Sequence, residues 1–337
     1  PWTTPTVIGH YLVSGGDWKA AAWGGLSVLI AMAVYYPFAK AAERVRLQLR
    51  VALGLWPEPE RTALNPVIHG RLEREGYTVE KVYFESLPGF FVTGNLYRAV
   101  GEGPFPAVLS AHGHWTYGRL ENSPLVSGPG RAISLARQGF VVFTYDMVGY
   151  NDSRQLTHTF GGPREHQWGL SLAGLQLWNS IRAADFLAAR PDVDPARVAL
   201  AGLCQGGQDT WLAGALDDGF AALAPFCSES TFAIHFAEMA SYHANGDSSP
   251  FPFGILDVCD IDHLHAAIAP RPLMVRTNLP DNWWPVSGMD DVETLTRKVY
   301  RLYGAEDRVD FRAEVHEHDI TGPFLDALEA FLVKHLA

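Results

Sequence analysis

Cys204 sits in Gly202-Leu203-Cys204-Gln205-Gly206-Gly207, directly after the apolar run Arg197-Val198-Ala199-Leu200-Ala201 and ahead of an apolar, helix-compatible segment. A strand that ends in Gly-x-nucleophile-x-Gly and turns at once into a helix holds its central side chain clear of its neighbours, at the positive end of the helix. That position lowers a thiol pKa and favours the thiolate, the reactive form. Most chains with this elbow carry serine, and no Gly-x-Ser-x-Gly occurs elsewhere in this one. The chemistry open to such a residue is acyl transfer, which needs a base to take its proton and a carboxylate to orient the base. Two histidines, His316 and His318, follow the last strand-like run. Asp281 lies in the turn Asn278-Leu279-Pro280-Asp281-Asn282, just past an apolar run. Asp290 and Asp291 are also available, but they fall where a helix begins, and charge in a first turn serves the helix dipole.

Those residues need elements to hold them. Thr78 to Glu85 and Phe90 to Tyr97 are aromatic and β-branched runs separated by Ser86-Leu87-Pro88-Gly89, which predicts a hairpin. Phe105 to Ala111, Phe140 to Tyr145, Phe220 to Phe226 and Leu273 to Thr277 are continuous apolar runs of the kind found in strands buried on both faces. Asp310 to Val315 reads as the last strand. Helical segments are expected at Arg131 to Arg137, Leu170 to Ala189, Glu293 to Tyr303 and Pro323 to Leu336. Residues 45 to 76 show no clean period and read as a short helix with a wrapping arm. Cys227 to Leu264 is irregular and rich in aromatic and small polar residues, so a cap-like insertion over the site is expected at about 227–264. Strands alternating with helices give a mainly parallel sheet covered on both faces. With an elbow after its middle strand, that architecture is the α/β-hydrolase fold.

The segments HGHWTYGR, YDMVGYNDS, GLCQGG, DNWWPV and HEHDITGPF carry a more specific likeness. From about Arg46 to the end the chain resembles acetyl xylan esterase-like α/β-hydrolases, and its cysteine resembles that of dienelactone hydrolases. The resemblance implies the chain order nucleophile, acid, histidine. It favours Asp281, at the Asp of D-x-x-x-P-V, and His318, because HDITGPF matches the segment around the catalytic histidine. It also implies an oxyanion hole built from the backbone N–H of Trp115 or His114 and that of Gln205, with Gly113 allowing close approach. His112 then packs beneath the loop, and Asp146 to Ser153 shapes a turn beside the site. Trp283, Trp284 and Tyr117 are candidates for a substrate pocket, with core or cap packing as the alternative reading. No cofactor is expected. The pairs His112/His114 and His316/His318 lack the further ligands of a metal site. The implied activity is hydrolysis of a small-molecule or acylated-carbohydrate ester through a thioester acyl-enzyme. A thiolate leaves more readily than an alkoxide, so a lactonase or thioesterase of the dienelactone hydrolase kind is an alternative, and a catalytically impaired binding protein is another.

The 337 residues, 47% hydrophobic, suffice for one large core. A formal net charge of -11 and the lack of a basic stripe argue against nucleic acid as a partner. Three cysteines without CxxC spacing imply neither a disulfide framework nor a zinc ribbon. A free thiol at the elbow keeps best in a reducing compartment, so a cytoplasmic location is expected. Residues 1–44 stand apart. Ala20 to Phe38 contains no charged side chain and approaches the roughly 20 residues that span a bilayer, with Lys40, Arg44, Arg46 and Arg50 following it. A membrane anchor at the inner face is one expectation, and a helix packed on the hydrolase the other. PWTTPTVIGHYLVSGGDWKAAAW with VYYPFAKAAE resembles the C-terminal end of the IIC component of lactose/cellobiose phosphotransferase permeases, too short a piece to transport sugar. That likeness implies a fusion or remnant.

Overall fold

Strands β1 (Val67–Arg74), β2 (Tyr77–Leu87), β3 (Phe90–Ala99), β4 (Phe105–Ala111), β5 (Val141–Tyr145), β6 (Val193–Leu203), β7 (Ala222–Phe226), β8 (Leu273–Asn278) and β9 (Val309–Glu314) lie in one sheet. Their order is β1-β2-β3-β5-β4-β6-β7-β8-β9. The first three strands and β5 pair antiparallel, and every pairing from β5 through β4 to β9 is parallel. The computed structural model describes residues 40, 42–239, 251–252, 254–279, 281, 283–315, 318–320 and 322–336. The chain divides into the units Pro1–Val45 and Arg46–Ala337, and the sheet belongs to the second. The apolar run at 20–38, with the anchor read from it, lies outside the described residues, as do His316 and all but the last few residues of the segment 1–43 that carries the permease likeness. Among the described residues no helix is long and apolar enough to cross a membrane.

The apolar runs became central strands because both faces of the sheet are covered. β5, β7 and β8 are buried at each position, as unbroken apolar sequences require. β1 is the departure. Each of its residues is exposed, so the segment expected to be a wrapping arm is instead an edge strand, paired with β2 and bulged between His69 and Leu72. Neither face is covered, so no hydrophobic alternation was written into it.

Helices α1 (Gly128–Arg137), α2 (Leu172–Ala188), α3 (Gln205–Leu216), α4 (Phe232–Met239), α5 (Ile261–Ile268), α6 (Met289–Leu302) and α7 (Pro323–Leu336) connect or flank the strands. Ser127 and Ser171 start α1 and α2 by accepting the N–H groups of Gly130 and Gly174, the usual service of an N-cap hydroxyl. The stretch read as irregular, 227–264, holds α4 and the start of α5. Asp260 and His263 close a capping box on α5, which buries Ile261, Leu264 and Ile268. Helices this short carry too few turns for a period to show. Trp178 and Trp211 anchor the core, fully buried, with their indole N–H groups donating to the carbonyls of Ser86 and Ser228.

One buried group in α3 opposes the fold. Burial pushes the Asp209 carboxyl up to about 8, against the nearby charge of His114, and its Oδ2 has no partner among the described residues. The folded chain therefore holds a proton that the unfolded chain releases above an ordinary carboxyl pKa of 3.8. Stability from this group is complete below that value, falls as pH rises and levels off above the folded pKa. Asp209→Asn should remove the slope. Thermal melts are expected to show little change near pH 4 and a gain of up to about 5 kcal/mol near pH 8.

Candidate active site

β6 ends at Leu203 and α3 begins at Gln205, so the chain turns through a single residue. Cys204 makes that turn with φ 60° and ψ -119°, a conformation that costs a side-chain-bearing residue on the order of 1–3 kcal/mol. Its N–H donates to Phe226 O at 2.9 Å, and its carbonyl accepts Gln208 N–H at 3.1 Å. Crowding dictates the flanking glycines. A Cβ on Gly202 would lie 1.9 Å from Gly206 O, and one on Gly206 would lie 2.5 Å from Ala111 O.

Asp281 follows β8, its side chain enclosed. Oδ1 accepts the backbone N–H groups of Trp283 and Trp284 at 2.7 and 3.1 Å, and Oδ2 accepts His318 Nδ1–H at 3.0 Å. The carboxylate is thus fixed from three sides. The other ring nitrogen of His318, Nε2, is buried with no hydrogen-bond partner among the described residues, and the ring and the Cys204 sulfur act on each other as charges. Burial pushes the Cys204 thiol up, and the imidazoles of His318 and His114 more than offset it, bringing it to about 6. Burial lowers His318, and the Cys204 thiolate with Asp281 raises it to about 10. Between those values the pair is a thiolate beside an imidazolium.

The remaining candidates divide. Trp115 packs beside His318, ring centroids 6.0 Å apart, while its N–H donates to Gly113 O at 2.9 Å. One of the backbone donors considered for the oxyanion is therefore bonded within its own loop. Gln205 stands at the first position of α3, where a helix offers its N–H no internal acceptor. His114 contributes its side chain, which acts on the sulfur. Tyr117 is exposed and holds the loop through its backbone, donating to Glu121 and accepting from Asn151. Trp283 is exposed, whereas Trp284 is buried, its ring 4.4 Å from that of His235. The Trp284 ring is thus packing, and its link to the site is the N–H on Asp281. Asp290 and Asp291 occupy the first turn of α6.

Two loops brace these groups. His112 is buried, with Nδ1–H donating to Gly113 O and Nε2 accepting Met147 N–H, and burial lowers it to about 3. It is neutral, and neither nitrogen is left for a metal. Asp146 accepts from Thr93, Asn151 and the N–H of Asp152, and pairs with Arg119, which sets the turn 146–153. Cys227, Asp281 and His318 do offer three ligand atoms within 4.8 Å of one another. However, Asp281 and His318 bond each other, and burial with the charge of Asp281 holds the Cys227 thiol far above its ordinary value. A neutral thiol is a poor metal ligand. Neither Cys227 nor His158, which meets His114 at 2.8 Å, carried a sequence signal. Both reach the site only through strand order and loop packing.

No family model matches the chain. "Putative hydrolase YtaP" of Bacillus subtilis (strain 168) is 27% identical over 249 residues, 70% of this chain and 80% of that protein. Methylesterase BT1017 matches in structure with a TM-score of 0.69 and 27% identity, over 88% of this chain, which spans 64% of that protein's length. The acetyl xylan esterase from Paenibacillus sp. R4 matches with a TM-score of 0.61 and 18% identity, over 88% of this chain and 99% of that one. The fold is that of the α/β-hydrolases. In that architecture the ends of the parallel strands carry the site. Here Cys204 follows β6, Cys227 follows β7, Asp281 follows β8 and His318 follows β9.

Proposed function

We propose that the chain is a carboxylic ester hydrolase that cleaves a small or carbohydrate-borne ester through Cys204, His318 and Asp281. The observation that carries this reading is the line from Asp281 Oδ2 to His318 Nδ1, with the far edge of the same ring acting on a sulfur at a strained strand-to-helix turn. The names of the relatives, an esterase of methyl esters and one of acetylated xylan, support the substrate class.

The thiolate attacks the ester carbonyl, and the oxyanion develops beside the N-terminus of α3, where Gln205 N–H is one donor and the loop at 112–115 supplies the other. His318 protonates the departing alkoxide and, now neutral, draws a proton from water that attacks the thioester. Asp281 holds the ring with Nδ1 protonated, so that Nε2 does both transfers. The low thiol pKa favours a second reading. A stable thiolate is itself a good leaving group, so substrates with readily expelled alcohols, enol lactones and thioesters among them, suit it best.

The test is a panel of p-nitrophenyl acetate, acetylated xylan, a methyl uronate and an enol lactone, with intact-mass detection of an acyl adduct on Cys204. Turnover of the acetyl or methyl esters through such an adduct is the expected result. Preference for the lactone moves the assignment to the second reading, and inertness toward all four, with no adduct, to ligand binding alone.

A further inference from the structure

Cys227 follows β7 as Cys204 follows β6, and the two strands end in register. Leu203 and Phe226 are the last pair between them, and Cys204 N–H donates to Phe226 O at 2.9 Å. The next residue on each strand, Cys204 on one and Cys227 on the other, therefore stands opposite its counterpart. Neighbouring strands lie about 4.8 Å apart, inside the roughly 4.4–6.8 Å that separates the Cα atoms of a disulfide. Both cysteines leave their strands through a left-handed φ, 60° and 49°. The Cys227 sulfur is turned into the site, since it lies within 4.8 Å of a ring nitrogen of His318 and a carboxylate oxygen of Asp281. The two cysteines also share one packed cluster. They differ in exposure, Cys204 being partly exposed and Cys227 fully buried. An oxidant entering the site meets Cys204 first. Ester hydrolysis leaves the second thiol without a task.

We propose that Cys204 and Cys227 are a peroxide-sensitive thiol pair that closes into a reversible disulfide and switches the site off, an inference that rests on Cys204 being the nucleophile of the ester hydrolase. The co-reactant is a hydroperoxide. In the first step the Cys204 thiolate attacks the terminal peroxide oxygen, an S–O bond forms and the O–O bond breaks. The sulfur is oxidised to a sulfenic acid, the peroxide is reduced, and the departing alkoxide or hydroxide takes the proton of the His318 imidazolium. In the second step the Cys227 sulfur attacks the Cys204 sulfur, the S–S bond forms and the S–O bond breaks. Neutral His318, with a ring nitrogen within 4.8 Å of the Cys227 sulfur, takes the thiol proton and passes it to the departing hydroxide, which leaves as water. Burial and the charge of Asp281 keep Cys227 protonated until then, so it does not compete for the oxidant. The disulfide also spares Cys204 the irreversible acids further up the oxidation series.

The test treats the reduced chain with a few equivalents of hydrogen peroxide, then labels it with N-ethylmaleimide in denaturant and maps the peptides by mass. All three cysteines of the untreated chain should be labelled. After peroxide only Cys259 should be, with Cys204 and Cys227 found in one cross-linked pair of peptides. Ester turnover should be lost in that form and return with dithiothreitol. In Cys227→Ala, Cys204 should instead advance to sulfinic and sulfonic acid, beyond rescue by thiol. The wild-type map decides the pairing even if that variant fails to fold. Cys204 carried to sulfinic acid with Cys227 still labelled, a bond to Cys259 or between two chains, or three intact thiols overturns the proposal. So does turnover that persists in the disulfide form. The map itself needs no ester. A disulfide in a chain inert toward every ester keeps the thiol pair and sinks the esterase reading, whereas turnover through Cys204 in a chain that forms no disulfide does the reverse.

Discussion

Cys204→Ala should abolish ester turnover, with kcat/KM lower by a factor on the order of 10⁴ or more. The substitution removes one sulfur from a partly exposed side chain at the start of α3. Alanine can hold the same backbone hydrogen bonds to Phe226 and from Gln208, so the melting temperature should change little. What disappears is the attacking atom. A second signature follows from charge. The thiolate helps to raise His318, so the His318 pKa, followed by NMR titration, should drop in the alanine variant. Cys204→Ser makes a sharper comparison. A hydroxyl is not ionised near neutral pH, so His318 must be neutral to activate it. The acid limb of kcat/KM should then move up from about 6 to the His318 pKa, and the alkaline limb set by the imidazolium should vanish. Turnover by Cys204→Ala that equals wild type removes the whole site assignment.

The second large effect is expected at Asp281. In the wild type, kcat/KM should be bell-shaped, with limbs near 6 from Cys204 and near 10 from His318. Asp281→Asn should lower kcat by roughly 10³–10⁴ with little change in KM. The hydrogen bonds dictate why. Two N–H groups, from Trp283 and Trp284, point at Oδ1, so an asparagine places its carbonyl oxygen there and turns its NH₂ toward His318. That NH₂ needs an acceptor at Nδ1, which drives the ring to the tautomer protonated on Nε2, unable to take a proton on the catalytic side. Loss of the carboxylate charge also withdraws part of what raises His318. The alkaline limb should move down. Activity within about tenfold of wild type, with that limb in place, would show that Asp281 only props the loop.

The sequence was most informative where the physics is local. A glycine-flanked cysteine between an apolar strand and a helix can fold in few ways, because the crowding at Gly202 and Gly206 admits no side chain. The buried strands announced themselves because both faces of the sheet are covered, and the closing helix by its amphipathic spacing. Position after the last apolar runs made Asp281, His316 and His318 candidates, and the likeness at D-x-x-x-P-V and HDITGPF favoured Asp281 and His318. Elements with exposed or short faces were silent, as with β1, whose residues all meet solvent, and with α4 and α5 inside the stretch that read as irregular.

Other features are decided by residues far apart in the chain. The choice of Trp284 as a buried prop, with Trp283 left exposed, depends on His235 and on the turn after β8. Cys227 comes to the site because β6 and β7 are parallel neighbours whose ends lie side by side. His114 meets His158 because the loops after β4 and β5 pack against each other. A sequence specifies side-chain chemistry and local turns. Which imidazole reaches which atom depends on strand order and loop packing, and only the folded chain brings those together.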